Sequence, residues 1–501
     1  MSAFMTQRQT SLRLLAAATA ALLVCCLAVV INQTQAQDSG TAPKLSNIPP
    51  RPSSAVPPIP DKSASRLVGV ASCAAASCHG GGRRIEGLHF AASLVWAGRD
   101  PHASAWDVLN TPRSTAMVEL LGAGQPNTPP SAVQDARCLN CHATVEQPLA
   151  GTVPVDYLHH DGVGCEACHG PARDWIGPHV TAEWKTTPQT ARAALGYVDL
   201  AGSLNQRARK CAECHIGGTG KDVSHDLIAA GHPRLDYEFS TFHSNYPKHW
   251  QPRAAATAPA DPEQSPTFTL DAWQAGRFAA AEACLKLLED RTSDGRPWPE
   301  LAEYSCFSCH HNLEDRSWYQ QRRSTGRPGW ETWALTPLRN SKQTEMLPLT
   351  AALQSLADRM NTPVPDRTLV KQAAVSSAAA LVPVMNQHHP WTPAAIDQLC
   401  LEQIRLARRT TTDGKILAAG SWDEMAQLYL ALRAASIAGN SLAPDDTRQQ
   451  QIAAQLEIIR SKLLFLPGFD SPGNSSIDAV LSVSDAVNHI EQLLDPKAPQ
   501  P

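Results

Sequence analysis

Four times the chain writes Cys-x-x-Cys-His: Cys138-Leu-Asn-Cys141-His142, Cys165-Glu-Ala-Cys168-His169, Cys211-Ala-Glu-Cys214-His215 and Cys306-Phe-Ser-Cys309-His310. With 14 Cys and 18 His in 501 residues, chance supplies only about 0.014 such strings. Two thiols at this spacing reach the two vinyl groups of one porphyrin, and the adjacent imidazole projects to the iron. The pattern is that of covalent haem c attachment, with His142, His169, His215 and His310 as proximal ligands. Cys73-Ala-Ala-Ala-Ser-Cys78-His79 is a wider variant in which a longer loop bulges outward, and it predicts a fifth haem with His79 as proximal ligand. A disulfide or an unmodified pair is the alternative for Cys73 and Cys78. Zinc ribbons also use paired Cys-x-x-Cys units, but nothing in zinc chemistry requires a His after each one, and here every unit has it.

The opposite face of each iron needs a second ligand. Between Leu67 and Trp330 the only Met is Met117, so methionine ligation cannot be general, and bis-His iron is expected. Ten His are available for at most five places: His89, His102, His159, His160, His179, His225, His232, His243, His249 and His311. His311 directly follows a proximal His and cannot easily reach across the same ring. The Trp residues of this stretch are expected to pack porphyrin faces. Cys284 and Cys400 read as buried core thiols, His388-His389 as a loop or capping feature, and Arg83-Arg84 as a solvated pair.

Around these residues the chain divides by composition. Residues 1–36 hold Arg8, Arg13 and an apolar run from Leu14 to Ile31, which reads as a signal peptide cleaved after Thr34-Gln35-Ala36 or as a retained membrane anchor. Cys25 and Cys26 are apolar fillers in that run. Residues 37–66 form a Pro-rich spacer. Residues 67–250 are expected to be a four-haem domain, 251–335 a fifth-haem segment containing a helix over Asp271 to Leu288, and 336–501 a helical C-terminal domain of about six helices with no convincing strand. Within the last, Ser421-Trp-Asp-Glu424 is a capping box and Thr392-Pro393 opens another helix. The fold class is mainly α with extensive irregular loops, because porphyrins replace the usual core and leave few long elements.

Charge narrows the partners. Lys plus Arg number 43 against 47 Asp plus Glu, so no basic excess exists to bind nucleic acid. Removal of residues 1–36 takes away two Arg and leaves a mature charge of −6. No Gly-rich phosphate loop, paired catalytic carboxylates or nucleophile elbow is present.

Gly162-Val-Gly-Cys-Glu-Ala-Cys-His-Gly-Pro-Ala172, followed by Trp175 and His179 and preceded by Trp96, Asp100-Pro-His102 and Trp106, resembles the tetrahaem cytochrome c-554 family of ammonia oxidisers and its larger multihaem relatives. The likeness covers about residues 67–250. It implies that His102 is the distal ligand of the haem on Cys165 and Cys168, and that His179 serves the haem on Cys211 and Cys214. It also implies that the first haem takes His232 or His225, or else His243 or His249, from the far end of the domain. The family's second haem is open on one side, which implies a five-coordinate iron at His142. This chain differs in its wider first spacer, its fifth motif and its helical C-terminus.

Saturated irons exchange electrons and bind no substrate. The reading is therefore an extracytoplasmic, periplasmic electron carrier with five haem c groups and redox proteins as partners, held to a membrane complex through the N-terminal anchor or the C-terminal helices. The alternative is an oxidoreductase acting on a small nitrogen or sulfur compound at an open haem. No motif has Lys in place of its proximal His, which a pentahaem nitrite reductase would show.

Overall fold

The computed structural model describes residues 66–81, 84–85, 88–89, 91–122, 131–154, 156–250, 262–310, 329–330, 333–339, 341–385, 390–410, 416–419, 421–465 and 477–495. The chain divides into residues 1–64 and one compact unit, residues 65–501. The export segment, nearly all of the spacer, Arg83, His311, His388 and His389 lie outside the described residues, and Arg84 and His89 are described by backbone alone.

Up to residue 250 the chain is a succession of short helices linked by 3₁₀ turns: α1 Val70–Cys73, α2 Ala92–Arg99, α3 Pro112–Leu120, α4 Ala136–His142, α5 Cys165–His169, α6 Gln189–Ala194, α7 Leu204–His215, α8 His225–Ala229 and α9 Phe239–Asn245. Polar caps start many of them. Asp135 accepts from Arg137 N before α4, Ser203 from Gln206 N before α7, and Glu238 from Ser240 N and Thr241 N before α9. A hairpin pairs β1 Arg84–Ile85 with β2 Leu88–His89.

Then comes α10, Phe268–Arg291, three residues longer at each end than the periodicity suggests. Its apolar residues occupy every face, the pattern of a helix enclosed on all sides. Leu270 and Trp273 enter one core; Phe278, Ala281, Leu285 and Leu288 enter a second; Ala272, Ala275 and Ala279 join Ala208, Ala212, Tyr237 and Phe239 in a third. Gly276 admits Phe239 so closely that a Cβ there would stand 2.5 Å from the Phe239 Cβ.

Six helices follow: α11 Leu347–Met360, α12 Arg367–Met385, α13 Pro393–Ala407, α14 Trp422–Leu442, α15 Thr447–Leu463 and α16 Ile477–Leu494. Ser421 caps α14 by accepting from Glu424 N, and Thr392 caps α13 by accepting from Ala395 N with Pro393 in the first turn, as the sequence motifs lead one to expect. One departure from the all-helical expectation is a short antiparallel pair, β3 Arg409–Thr410 with β4 Ile416–Leu417. Among the described residues α12 is long and apolar enough to cross a membrane, yet Val370, Ala374, Ser377 and Leu381 on it are buried in the second core or beside it.

The expected boundaries near residues 250 and 335 fall inside one packed body, because α10 packs against both the haem-motif helices and the C-terminal helices. The fold is mainly α with irregular connections.

Candidate haem centres

A helical turn brings residues at i, i+3 and i+4 to one side. Helices α4, α5 and α7 use this to end on Cys-x-x-Cys-His, so that two thiols and one imidazole face the same way at each C-terminus. At the fifth motif a 3₁₀ turn, Cys306–Ser308, does the same, with His310 N donating to Cys306 O at 2.8 Å. The wider first motif reaches a similar closure by another route. Helix α1 ends at Cys73, a turn has Cys78 N donating to Ala75 O, and His79 N returns to Cys73 O at 3.1 Å. The two extra residues are absorbed without moving the His from the first thiol's carbonyl. All twelve described cysteines are free, Cys284 and Cys400 among them as buried thiols.

Each of the five motif imidazoles faces one other imidazole. The ring centres are 6.4 Å apart for His79 and His179, 6.0 Å for His102 and His215, 6.4 Å for His142 and His232, 6.3 Å for His169 and His249, and 6.4 Å for His225 and His310. A metal–imidazole bond of about 2 Å on each side, added to the ring radii, spans about 6 Å, so each gap fits one iron between two nitrogens. Two pairs are near parallel, His79/His179 at 16° and His225/His310 at 29°. The other three are near perpendicular, at 80°, 85° and 77°.

Between four of these pairs lies one cavity of about 2340 Å³, lined by every motif from Cys73 to His215 and by His102, His179, His232 and His249. That is more than twice the upper end for a single small-ligand pocket, about 1,000 Å³. Free thiols, facing imidazoles and a largely apolar volume together fit porphyrins. The motifs neighbour one another in a definite order. The Cys73 thiol meets that of Cys165, Cys168 lies within electrostatic reach of Cys211, and Cys214 meets Cys141.

Electrostatics favour neutral rings, the form that binds metal. Burial pushes His169 and His215 down to about 4 and lowers His142 and His232. Backbone carbonyls orient three rings: His142 Nδ1 meets Ala105 O at 2.9 Å, His179 Nδ1 meets Ile176 O at 2.5 Å, and His232 Nδ1 meets Pro233 O at 2.7 Å. His102 is raised instead, first by its hydrogen bond to Asp100. Its backbone is positioned by Gly162 at φ +61°, where a Cβ would strike the His102 carbonyl oxygen at 2.7 Å, and by Val163 N donating to that oxygen.

The fifth pair stands apart from the large cavity. An ion network ties its halves together: Arg291, the last residue of α10, donates to Asp222 at 2.6 Å and to Glu303 at 2.7 Å. Glu300 accepts from His225 N at 2.8 Å, and Trp330 Nε1 donates to Glu303 at 3.0 Å. Segment 222–225 and segment 300–306 are thereby fixed against one helix end.

Placement differs from the expected pairing. His102 faces His215 and not His169; His179 faces His79 and not His215. His225 and His232, expected near the first motif, face His310 and His142. The face of His142 expected to be open is therefore covered by His232. His249, expected only as an alternative for the first motif, faces His169. His243 instead lies against Arg207 and Glu263, His160 stacks on Trp106, and His159 is buried in a 3₁₀ turn, Tyr157–Asp161. Every facing pair joins residues at least 80 positions apart, so local spacing carries no information about which ring meets which.

Residues 72–170, which hold the first three motifs and His102, match the family model for cytochrome c554 and c-prime. No curated protein and no solved structure matches the chain. Over this stretch, about a fifth of its length, the chain is similar to that family of c-type cytochromes, and the match supports covalently bound haem c and haem-based electron transfer.

Proposed function

We propose that the chain is an extracytoplasmic electron carrier holding five haem c groups, each attached through one Cys pair and held between two His. The observation that carries this reading is the five imidazole pairs, each of which joins one motif His to one other His at 6.0–6.4 Å. The ligand pairs are His79 with His179, His142 with His232, His169 with His249, His215 with His102, and His310 with His225. Cys73, Cys78, Cys138, Cys141, Cys165, Cys168, Cys211, Cys214, Cys306 and Cys309 form the thioether links. When bound, haem supplies one-electron exchange at iron; the chain's own residues fix the rings, exclude water and set the spacing. The proximity of the thiols, together with the single segment that carries His225 and His232, orders the sites as first, third, fourth, second and fifth. An apolar run at Leu14–Ile31 and the export needed for covalent attachment in bacteria support placement outside the cytoplasm, either free in the periplasm or anchored to the inner membrane. The mature charge of −6 favours a basic redox partner.

The test is a pair of assays on purified holoprotein: carbon monoxide binding to the reduced form, and turnover of nitrite, hydroxylamine, nitric oxide or tetrathionate with an artificial reductant. Negligible binding and turnover, alongside rapid reduction and reoxidation, are expected. Fast turnover with carbon monoxide bound at one haem would establish the oxidoreductase reading instead.

A further inference from the structure

The Nδ1 of His102 meets a carboxylate where three other candidate ligand rings, those of His142, His179 and His232, meet neutral carbonyls. That carboxylate, Asp100, is 5% exposed. Its Oδ1 accepts from His102 Nδ1 at 2.9 Å and from His102 N at 3.0 Å, and its Oδ2 accepts from the Tyr246 hydroxyl at 2.6 Å. Three donors converge on one buried anion. Tyr246 is in turn packed against Trp250 and His249, so the carboxylate cannot swing away from the imidazole without disturbing the neighbouring pair.

A full negative charge behind an imidazole N–H draws the proton toward itself and makes the opposite nitrogen a stronger donor to iron. Stronger donation stabilises the ferric state and lowers the potential. A carbonyl does the same more weakly, because it carries only a dipole. We propose that Asp100, clamped by Tyr246, is a positioning residue that sets the haem of His102 and His215 below the haems of His79/His179 and His142/His232 in potential. This inference rests on the bis-His reading above. The step concerned is ferric iron gaining one electron from an external reductant, with the proton remaining on His102 Nδ1. By the proximity of the thiols this haem lies between those of His169 and His142, so the lowered couple falls inside the chain of centres and not at either end.

The two oxygens of Asp100 predict opposite responses. Asp100→Asn keeps the size and removes the charge, so one couple should rise. A tenfold change in its reduced-to-oxidised ratio at fixed solution potential corresponds to about 59 mV for one electron. Tyr246→Phe removes the competing donor, leaves the carboxylate more available to the imidazole, and should move the same couple down. The experiment is spectroelectrochemical titration of wild-type and both variant holoproteins at one pH, with electron paramagnetic resonance to count low-spin haems, and His102→Ala as a control. Opposite shifts of one couple, with an unchanged low-spin count, are the expected result. No shift in Asp100→Asn, or shifts of both variants in the same direction, would overturn the tuning role. A low-spin count unchanged in His102→Ala would overturn the ligand assignment on which it rests.

Discussion

His225 and His232 stand seven residues apart, at the start of α8 and just past its end, and their rings face the motif imidazoles of two different sites, His310 and His142. His232 N donates to Leu227 O, which closes the segment into one rigid turn. A single short element thus joins the separate fifth site to the large cavity, and both ends can be tested independently.

His232→Ala should convert one low-spin haem to high-spin and create a carbon monoxide site on the reduced protein; His225→Ala should do the same at the fifth haem and leave the rest unchanged. Electron paramagnetic resonance and difference spectra before and after carbon monoxide check both. A low-spin spectrum that survives His232→Ala would return the second haem to the open state implied by the family resemblance.

The ring angles predict the resting spectrum. Parallel imidazole planes split the iron orbitals and give ordinary rhombic low-spin signals, whereas perpendicular planes leave them nearly degenerate and give a large maximum g value. The observed angles predict two haems of the first kind and three of the second. Spin quantitation of the fully oxidised protein measures the ratio.

Stoichiometry should be five haems per chain by alkaline pyridine haemochrome and intact mass. Changing Cys306 and Cys309 together to Ala should give four, and so should changing Cys73 and Cys78. A count of four in the parent, unaffected by the Cys73/Cys78 change, would remove the first site.

Arg291→Met should be costly, because it leaves the buried Glu303 without its cation while Asp222 keeps Arg296; loss of one partner of a buried pair typically costs about 3–5 kcal/mol. Denaturant unfolding measures the loss. The haem of His310 should be perturbed more than the four in the cavity, as read by the change in its low-spin signal.

His243 gives a pH dependence. Burial first, and then the adjacent Arg207, push it down to about 4 from an ordinary value of 6.5. Between those values the unfolded chain binds a proton that the folded one refuses, so stability is greatest above about pH 6.5 and falls toward pH 4. Unfolding midpoints across this range should show the fall, and His243→Gln, which can still accept from Arg207, should flatten it.

The attachment motifs, the caps at Thr392 and Ser421 and the long helix around Asp271–Leu288 were legible because each is written in consecutive residues and obeys a local rule. The opposing rings were not. His102 reaches His215 because Gly162 and Val163 pack on its carbonyl, and His179 reaches His79 because Trp175 N–H and carbonyl geometry start a turn there; neither contact leaves a trace in spacing. His249 has no local signature beyond a neighbouring Trp. The merging of the C-terminal helices with the haem-motif helices was equally hidden, since composition changes near residue 335 while α10 packs on both sides of the change.

The large cavity has a consequence for how variants behave in a cell. Among the described residues from 66 to about 215, one small apolar cluster is confined to this stretch, that of Leu109, Val118, Ala132, Leu139 and Ala143. On the proposed haem content, porphyrin faces supply the rest of the cohesion, and maturation and folding are expected to be coupled there. A chain that misses one attachment in the cavity, as with Cys141→Ala or the paired Cys73/Cys78 change, is expected to accumulate to a lower yield than the parent, because proteases remove part of it. The fifth site, outside the cavity and braced by α10, is expected to escape this loss. Yield and haem count should therefore part company along the chain: low yield for lesions in the cavity, normal yield with a missing haem at Cys306 and Cys309.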